Sequence, residues 1–239
     1  MGAGDSPSMR IVGFIKTSLL DWDGKVTSVV FTSGCNFRCP FCQNVDVVEG
    51  HLDEVEMDRI DEYVNENSDF LDGVVITGGE PTLHRDLHEL IKHFKDMGVM
   101  VKLDSNGTNP DMLDDLIGAN LIDFVAMDVK APLDERYSTL CGTEAPLEDL
   151  KRSIDIIMSS GIDYEFRTTV VPVLHKEGDI EEIAECISGA RKYALQQFVP
   201  SKTLDPSMQN LDPFPAATLH RMAERAKRHV RRVVLRGDV

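Results

Sequence analysis

The chain has 239 residues, enough to bury the core of one large domain, and its 25 basic and 41 acidic side chains give a formal net charge of −16 at pH 7. This excess of acid argues against nonspecific binding to nucleic acids, whose phosphates would repel it. The sequence contains no apolar run of membrane-spanning length and no signal-peptide core, so we expect a cytoplasmic protein that does not associate with membranes.

Short apolar, β-branched segments alternate along the chain with longer amphipathic segments, and this alternation predicts strands and helices in turn. Residues 1–8 are expected to be a disordered leader, which leaves 9–239 as a single domain. Strands are expected at 11–15, 26–32, 73–77, 99–103, 122–127, 164–171, 195–199 and 233–235. Helices are expected at 53–67, 83–97, 111–117, 146–160, 179–192 and 216–229.

Alternating strands and helices predict an α/β fold with a parallel sheet and right-handed crossovers. About six strands of this kind are too few for a closed eightfold barrel, so we expect an open, partial (β/α)6 barrel of the TIM type with outer helices. Distinctive polar clusters follow the strands. Because the carboxyl ends of parallel strands share one edge, these clusters are expected to form the functional site.

Three cysteines, Cys35, Cys39 and Cys42, fall within eight residues in a C-x3-C-x2-C pattern that could converge on one metal centre. A disulfide is disfavoured because the third thiol would be left over. A structural zinc ion would need a fourth ligand, and Cys141 and Cys186 are distant in the sequence and lie in helical patterns. The spacing alone leaves zinc and an iron–sulfur cluster open.

This spacing, with Phe41 directly before the last cysteine, resembles the cluster loop of the radical S-adenosylmethionine (SAM) superfamily. The wider run 31–44 resembles that of its glycyl-radical activating enzymes, above all the anaerobic ribonucleoside-triphosphate reductase activating proteins. The resemblance implies that Cys35, Cys39 and Cys42 bind three irons of a [4Fe–4S] cluster and that the fourth iron binds SAM.

The resemblance also assigns SAM contacts to other loops. Gly78, Gly79 and Glu80 match the motif that binds the SAM amino group, and the two glycines allow a close backbone approach. The alternative is a tight turn between a strand and a helix. Phe41 and Gln43 are expected beside the adenine.

Two carboxylates, Asp104 and Asp128, end neighbouring strands. The surrounding residues resemble those of the pyruvate formate-lyase activating enzymes. This likeness implies that the two carboxylates hold a monovalent cation beside SAM, for which hard oxygen ligands are suited. It also places Ser105, Asn106, Asp128 and Lys130 near SAM. The alternative is that the two acids are solvated loop residues or helix N-caps.

Arg167 lies inside an apolar strand and needs a partner, either a neighbouring carboxylate or the SAM carboxylate, and we favour SAM. The segment 197–200 resembles the family's adenine-side loop. There the chain departs from the pyruvate formate-lyase activating enzymes, because Lys202 follows Ser201 where a histidine is expected. Lys202 is our candidate for that contact.

Two other polar groups have plainer interpretations. His84 and His88 lie four residues apart, but the H-E-x-x-H zinc pattern is not completed, so both are expected to be surface histidines. The basic run 221–236 is expected to be a solvated helix face, and a docking patch for an acidic protein is the alternative.

Taken together, the resemblance implies an oxidoreductase that cleaves SAM reductively to methionine and a 5′-deoxyadenosyl radical. Its partners would be a glycyl-radical enzyme, namely an anaerobic ribonucleotide reductase, and a low-potential electron donor such as flavodoxin or ferredoxin. One alternative is a radical SAM enzyme that acts on a small molecule or modified RNA. Another is a non-enzymatic iron–sulfur or zinc protein.

Overall fold

The computed structural model describes residues 9–237. The expected disordered leader, residues 1–8, lies outside the described residues, and a single domain over 9–239 stays a prediction. The described residues form two compact units. The first comprises 9–36, 46–105 and 111–125, and the second comprises 37–45, 106–110 and 126–237.

Strands and helices alternate along most of the described chain. The strands are β1 (Ile11–Ser18), β2 (Thr27–Thr32), β3 (Gly73–Gly78), β4 (Met100–Ser105), β5 (Phe124–Asp128), β6 (Asp163–Val170), β7 (Tyr193–Gln197) and β8 (Val233–Arg236). The helices are α1 (Val45–Glu49), α2 (Met57–Glu66), α3 (Leu87–Asp96), α4 (Pro110–Gly118), α5 (Arg136–Cys141), α6 (Leu147–Ser159), α7 (Glu177–Cys186) and α8 (Ala216–Ala226). Two short 3-10 helices cover Pro81–Leu83 and Pro206–Asn210.

In the first unit the sheet order is β1, β2, β3, β4 and then the start of β5. Strand β1 is antiparallel to β2, with Phe14 opposite Val30, whereas β2, β3 and β4 are parallel. The antiparallel pair follows from its connection. A tight turn in which the Lys25 N–H donates to the Trp22 carbonyl at 3.0 Å joins β1 to β2, while β2 and β3 are joined through helices.

Trp22, Val29 and Val75 form a buried apolar cluster in the first unit. Helices α2 and α3 each bury an apolar stripe at helical spacing, which in α3 includes Phe94 with no exposed surface. Gly98 follows α3 with φ of 83°, a conformation that glycine adopts at little cost and that ends the helix.

In the second unit the sheet order is the end of β5, then β6, β7 and β8, and the last three strands are parallel. Helices α7 and α8 are joined by ion pairs. Arg221 lies 2.7 Å from Glu177, and Arg228 lies 3.1 Å from Glu181. Part of the basic face in 221–236 is therefore neutralised by the acidic face of α7 within the same chain.

The expected α/β class with an open, largely parallel sheet is confirmed, and strand order follows chain order from β1 to β8. The sheet has eight strands instead of about six, because β1 adds an antiparallel edge and β8 is also part of the sheet. Two short helices, α1 and α5, were not expected. Both have only five or six residues, too few to show a clear helical period.

Replacement of the buried α3 side chain in Phe94→Ala is expected to lower the free energy of unfolding by about 3–5 kcal/mol, because it removes a fully buried ring and leaves a cavity. The matched control on the same helix is Lys92→Ala. That side chain is 67% exposed, and its loss should change the free energy of unfolding by no more than about 0.5 kcal/mol. Anaerobic urea denaturation measures both, and equal losses would contradict the assignment of this helix face to the core.

Candidate functional site

One cavity in the second unit brings together several of the expected site residues. It has a volume of about 230 Å³, and Cys39, Phe41, Cys42 and Gln43 line it on one side. Cys39 and Phe41 are buried, and burial raises the pKa of the Cys42 thiol. Cys35, the first cysteine of the motif, belongs to the first unit and is partly exposed.

Asp128, the last residue of β5, and Lys130, just after it, also line this cavity. Arg167 Nε donates to Asp128 Oδ1 at 2.9 Å, and Lys130 Nζ donates to Asp128 Oδ2 at 3.2 Å. Burial acts to raise the pKa of Asp128, but the two cations outweigh it and hold the pKa at about 2. Arg167 thus has the neighbouring carboxylate as its partner in this structure, and its contact with the SAM carboxylate stays a prediction.

The cavity is also lined by Thr169 in β6 and by residues 196–199, where β7 ends. Residues 197–199 were expected here from the resemblance. Thr169 and Gln196 were not expected. Thr169 could have been found from the sequence, because it lies two residues after Arg167 on the same strand, and alternate residues of a strand point to one face.

Gln43 connects the cysteine loop to the segment after β7. Its side-chain amide donates to the Val199 carbonyl and to Ser201 Oγ, both at 2.8 Å. Lys202, which was expected at the adenine, is exposed and is not among the described residues that line the cavity. Its contact with SAM therefore stays a prediction.

In the first unit, the glycine pair at the end of β3 packs against the start of the cysteine loop. The Glu80 N–H donates to the Gly34 carbonyl at 2.8 Å, and a Cβ atom on Gly79 would overlap that same carbonyl oxygen. Gly78 has φ of 125°, and a Cβ there would be too close to the Thr32 backbone. Both positions therefore require glycine because of contacts with the chain's own backbone, and the expected close approach to SAM stays a prediction.

The carboxylate of Glu80 is 1% exposed and supports the loop that follows β3. It accepts hydrogen bonds from the Thr82 N–H at 3.1 Å and from Ser105 Oγ at 2.9 Å. These contacts fix the strand-to-helix turn and also explain why Ser105 is buried. Contacts of Glu80 and Ser105 with SAM stay predictions.

Asp104 has a partner that sequence reasoning missed. Lys102 is 2% exposed, and its Nζ lies 3.3 Å from Asp104 Oδ1 and 5.6 Å from the centroid of the Phe124 ring. A lysine within an apolar strand, two residues before an aspartate, was the available signal. Asp104 and Asp128 belong to different units, so a cation held by both stays a prediction.

Two polar residues have structural contacts. Asn106 accepts the Thr108 N–H at 3.0 Å through its side chain, which stabilises the turn after β4, and its contact with SAM stays a prediction. His84 was expected at the surface, and this is wrong. The ring is 5% exposed, and its Nε2 donates to the Ser33 carbonyl at 2.9 Å, so it satisfies a backbone group that the sheet leaves unpaired.

The thiols fit an iron–sulfur cluster by donor chemistry. None of the five cysteines, all in the described part of the chain, forms a disulfide, and thiolates are the usual protein ligands of such clusters. Within each unit, the residues that the structure describes contain no group of three Cys, His, Asp or Glu side chains arranged around one metal ion. The three motif cysteines are divided between the units, two of them on the wall of the cavity.

The sequence profile of the radical SAM superfamily matches residues 29–187. A protein of Methanocaldococcus jannaschii named “putative glycyl-radical enzyme activating enzyme” is 35% identical over 232 residues, which are 95% of each chain. The pyruvate formate-lyase-activating enzyme of Clostridium pasteurianum is 25% identical over 206 residues, 82% of this chain and 83% of that enzyme. Among solved structures, QueE from Escherichia coli has a TM-score of 0.55 at 17% identity and covers 96% of this chain and 94% of its own.

Parallel strands followed by a cavity with thiols and charged side chains define an α/β enzyme that binds a cofactor beyond the strand ends. The chain belongs to the radical SAM superfamily, and within it to the family of the M. jannaschii protein. The cofactors of the superfamily are a [4Fe–4S] cluster and SAM. In the part of the chain that the structure describes, no helix has both the length and the apolar character to cross a membrane.

The variant Gly79→Ala is expected to weaken SAM binding by at least about tenfold, because the added methyl group must displace the Gly34 carbonyl. Gly118→Ala is the matched control, since a Cβ there meets no atom within 4 Å. Equilibrium dialysis with labelled SAM under anaerobic conditions measures both dissociation constants. Wild-type affinity for SAM in Gly79→Ala would contradict the predicted role of Gly79 in SAM binding.

The ion pairs of Asp128 predict a specific pH dependence. Because its pKa in the folded state, about 2, lies below the ordinary 3.8, the ion pairs stabilise the protein fully above 3.8 and are lost as the pH falls toward 2. The difference in unfolding temperature between the wild type and Arg167→Gln should thus be constant near neutral pH and shrink below about pH 4.

The exposed-arginine variant Arg152→Gln serves as the control for Arg167→Gln, since its side chain is 56% exposed. The unfolding temperature of Arg152→Gln should differ little from that of the wild type at every pH. Any loss of cofactor in acid affects the wild type and both variants alike. Scanning calorimetry across this pH range provides the measurement. A difference for Arg167→Gln that does not shrink in acid would show that its ion pair with Asp128 is not the cause.

Proposed function

We propose that this protein is a glycyl-radical activating enzyme and that its partner is an anaerobic ribonucleotide reductase. The observation that supports the activating role is the 35% identity, over 95% of both chains, to a protein named as a putative enzyme of that group. The choice of partner rests on the resemblance of the run 31–44 alone. When bound, the cofactors would supply the radical chemistry: one electron from the reduced cluster would cleave SAM to methionine and a 5′-deoxyadenosyl radical, which would take a hydrogen atom from a glycine Cα of the partner.

The three thiolates of Cys35, Cys39 and Cys42 would hold three irons and leave the fourth open for SAM. Phe41, on the wall of the cavity, and Gln43, which is fixed to the segment after β7, would contact the adenine side. The backbone at Gly78 and Gly79 would approach the SAM amino group, with Glu80 fixing that turn.

The charges at the cavity support a role in orienting SAM. Lys130 on the cavity wall and Arg167, which is bonded to Asp128, supply two cations against the carboxylate of Asp128, so these three groups together carry one net positive charge in a strongly acidic protein. A local positive charge attracts the carboxylate of SAM. Asp104 and Asp128 would hold a monovalent cation beside SAM, and Ser105, Asn106 and Lys202 would add polar contacts.

The remaining proposals concern the setting of the enzyme. We place it in the cytoplasm, where a low-potential donor such as flavodoxin or ferredoxin would reduce the cluster. A radical enzyme that acts on a small molecule or modified RNA would share the first reaction and differ only in the acceptor of the radical. The experiment must therefore separate SAM cleavage from glycyl-radical formation.

Anaerobically reconstituted and reduced protein should convert SAM to methionine and 5′-deoxyadenosine, measured by liquid chromatography. Addition of the anaerobic ribonucleotide reductase of the same organism should give a glycyl-radical signal in electron paramagnetic resonance. Cys42→Ser should abolish both, because it removes a cluster ligand, whereas Cys186→Ser, outside the motif, should retain both. Products without a glycyl radical would favour the small-molecule or RNA enzyme, and the absence of products would favour an iron–sulfur or zinc protein without catalytic activity.

A further inference from the structure

Helix α5, which the sequence did not reveal, is fastened to the cysteine loop within the second unit. The Arg38 N–H donates to the Cys141 carbonyl at the end of α5 at 2.7 Å. Gly142, with φ of 68°, follows directly, and a Cβ there would overlap the Arg38 carbonyl oxygen. On the adjacent turn, the rings of Phe37 and Tyr137 pack with their centroids 6.4 Å apart.

The same tyrosine is also hydrogen-bonded to the backbone of Asp128 and Lys130, whose side chains line the cavity. The Lys130 N–H donates to Tyr137 Oη at 3.2 Å, and Tyr137 Oη donates to the Asp128 carbonyl at 3.4 Å. Tyr137 has no exposed surface, and burial raises the pKa of its hydroxyl above the ordinary value, so the hydroxyl keeps its proton. It therefore acts as donor and acceptor at once.

A buried histidine completes the fixation of Lys130. His175 Nε2 donates to the Lys130 carbonyl at 2.8 Å, and His175 Nδ1 accepts the Val171 N–H at 3.0 Å. These two bonds require the neutral ring with its proton on Nε2. Both backbone polar groups of Lys130 are thus held by buried side chains, which limits the positions that its ammonium group can reach.

We propose that Tyr137 is a positioning residue for SAM, because it fixes the cysteine loop through Phe37 and the Asp128–Lys130 wall through its hydroxyl. Tyr137 does not itself line the cavity among the described residues, while Asp128, Lys130, Cys39 and Cys42 do. The inference rests on SAM being the ligand of this cavity, and it is independent of which molecule accepts the radical.

The test is Tyr137→Phe, which keeps the ring against Phe37 and removes only the hydroxyl. We expect its iron content to match the wild type, its SAM dissociation constant to rise about tenfold, and the signal of its reduced cluster in the presence of SAM to change in electron paramagnetic resonance. Tyr164→Phe is the matched control. Tyr164 is also buried, at 4% exposed, and its hydroxyl accepts the Arg191 N–H at 3.2 Å, outside both the cysteine loop and the Asp128–Lys130 segment.

Thermal unfolding of both variants separates a structural role from a positioning role. If Tyr137→Phe lowers the unfolding temperature as Tyr164→Phe does but binds SAM like the wild type, the inference is overturned. If Tyr137→Phe does not fold, Phe37→Leu removes the ring that Tyr137 packs against and keeps the tyrosine hydroxyl, and wild-type SAM affinity in that variant overturns the inference equally. If the wild type itself binds no SAM, the proposed function fails as well.

Discussion

The shape of the cysteine loop depends on hydrogen bonds to backbone groups elsewhere in the chain. Residues 37–43 contain no helix or strand, and apart from a bond from the Cys42 N–H to the Cys39 carbonyl at 3.0 Å, several of their backbone groups have partners outside the loop. The Leu204 N–H donates to the Cys42 carbonyl at 3.0 Å, and the Asp205 N–H donates to the Pro40 carbonyl at 2.9 Å. The segment at Leu204 and Asp205 thus holds a loop that lies about 160 residues earlier in the sequence. The positions of the thiols depend on both segments.

In the second unit, the buried Glu165 and the half-buried Asp128 are each paired with two cations. Glu165 is 1% exposed and contacts both Lys192 and Arg236 at 2.7 Å, while Asp128 is paired with Arg167 and Lys130. Removing a carboxylate from water is costly, and the two cations offset this cost. Only the group around Asp128 lines the cavity, so one charge arrangement stabilises the fold and the other also defines a binding surface.

Much of the fold was predictable because long helices and strands have clear periods. Helix α3 buries the stripe that its sequence shows, and the motif glycines lie where close backbone contacts need them. Helix α5 was not predictable from its six residues, since its role depends on contacts of Tyr137 with distant segments. The burial of His84 was also missed, because nothing local indicates that the Ser33 carbonyl lacks a partner in the sheet.

The sequence by itself indicated the superfamily through the resemblance of its cysteine loop, and its three closely spaced cysteines place three thiols within one short loop wherever the rest of the chain lies. It also determined the α/β class, which depends on local periodicity. Only the tertiary structure decided that Arg167 pairs with Asp128 and that Lys102 is buried beside Asp104. It also decided that Tyr137 contacts both Phe37 in the cysteine loop and the backbone of Lys130. The reason is physical: a charged or polar side chain takes its role from the groups that burial brings to it, and those groups lie far away in the sequence.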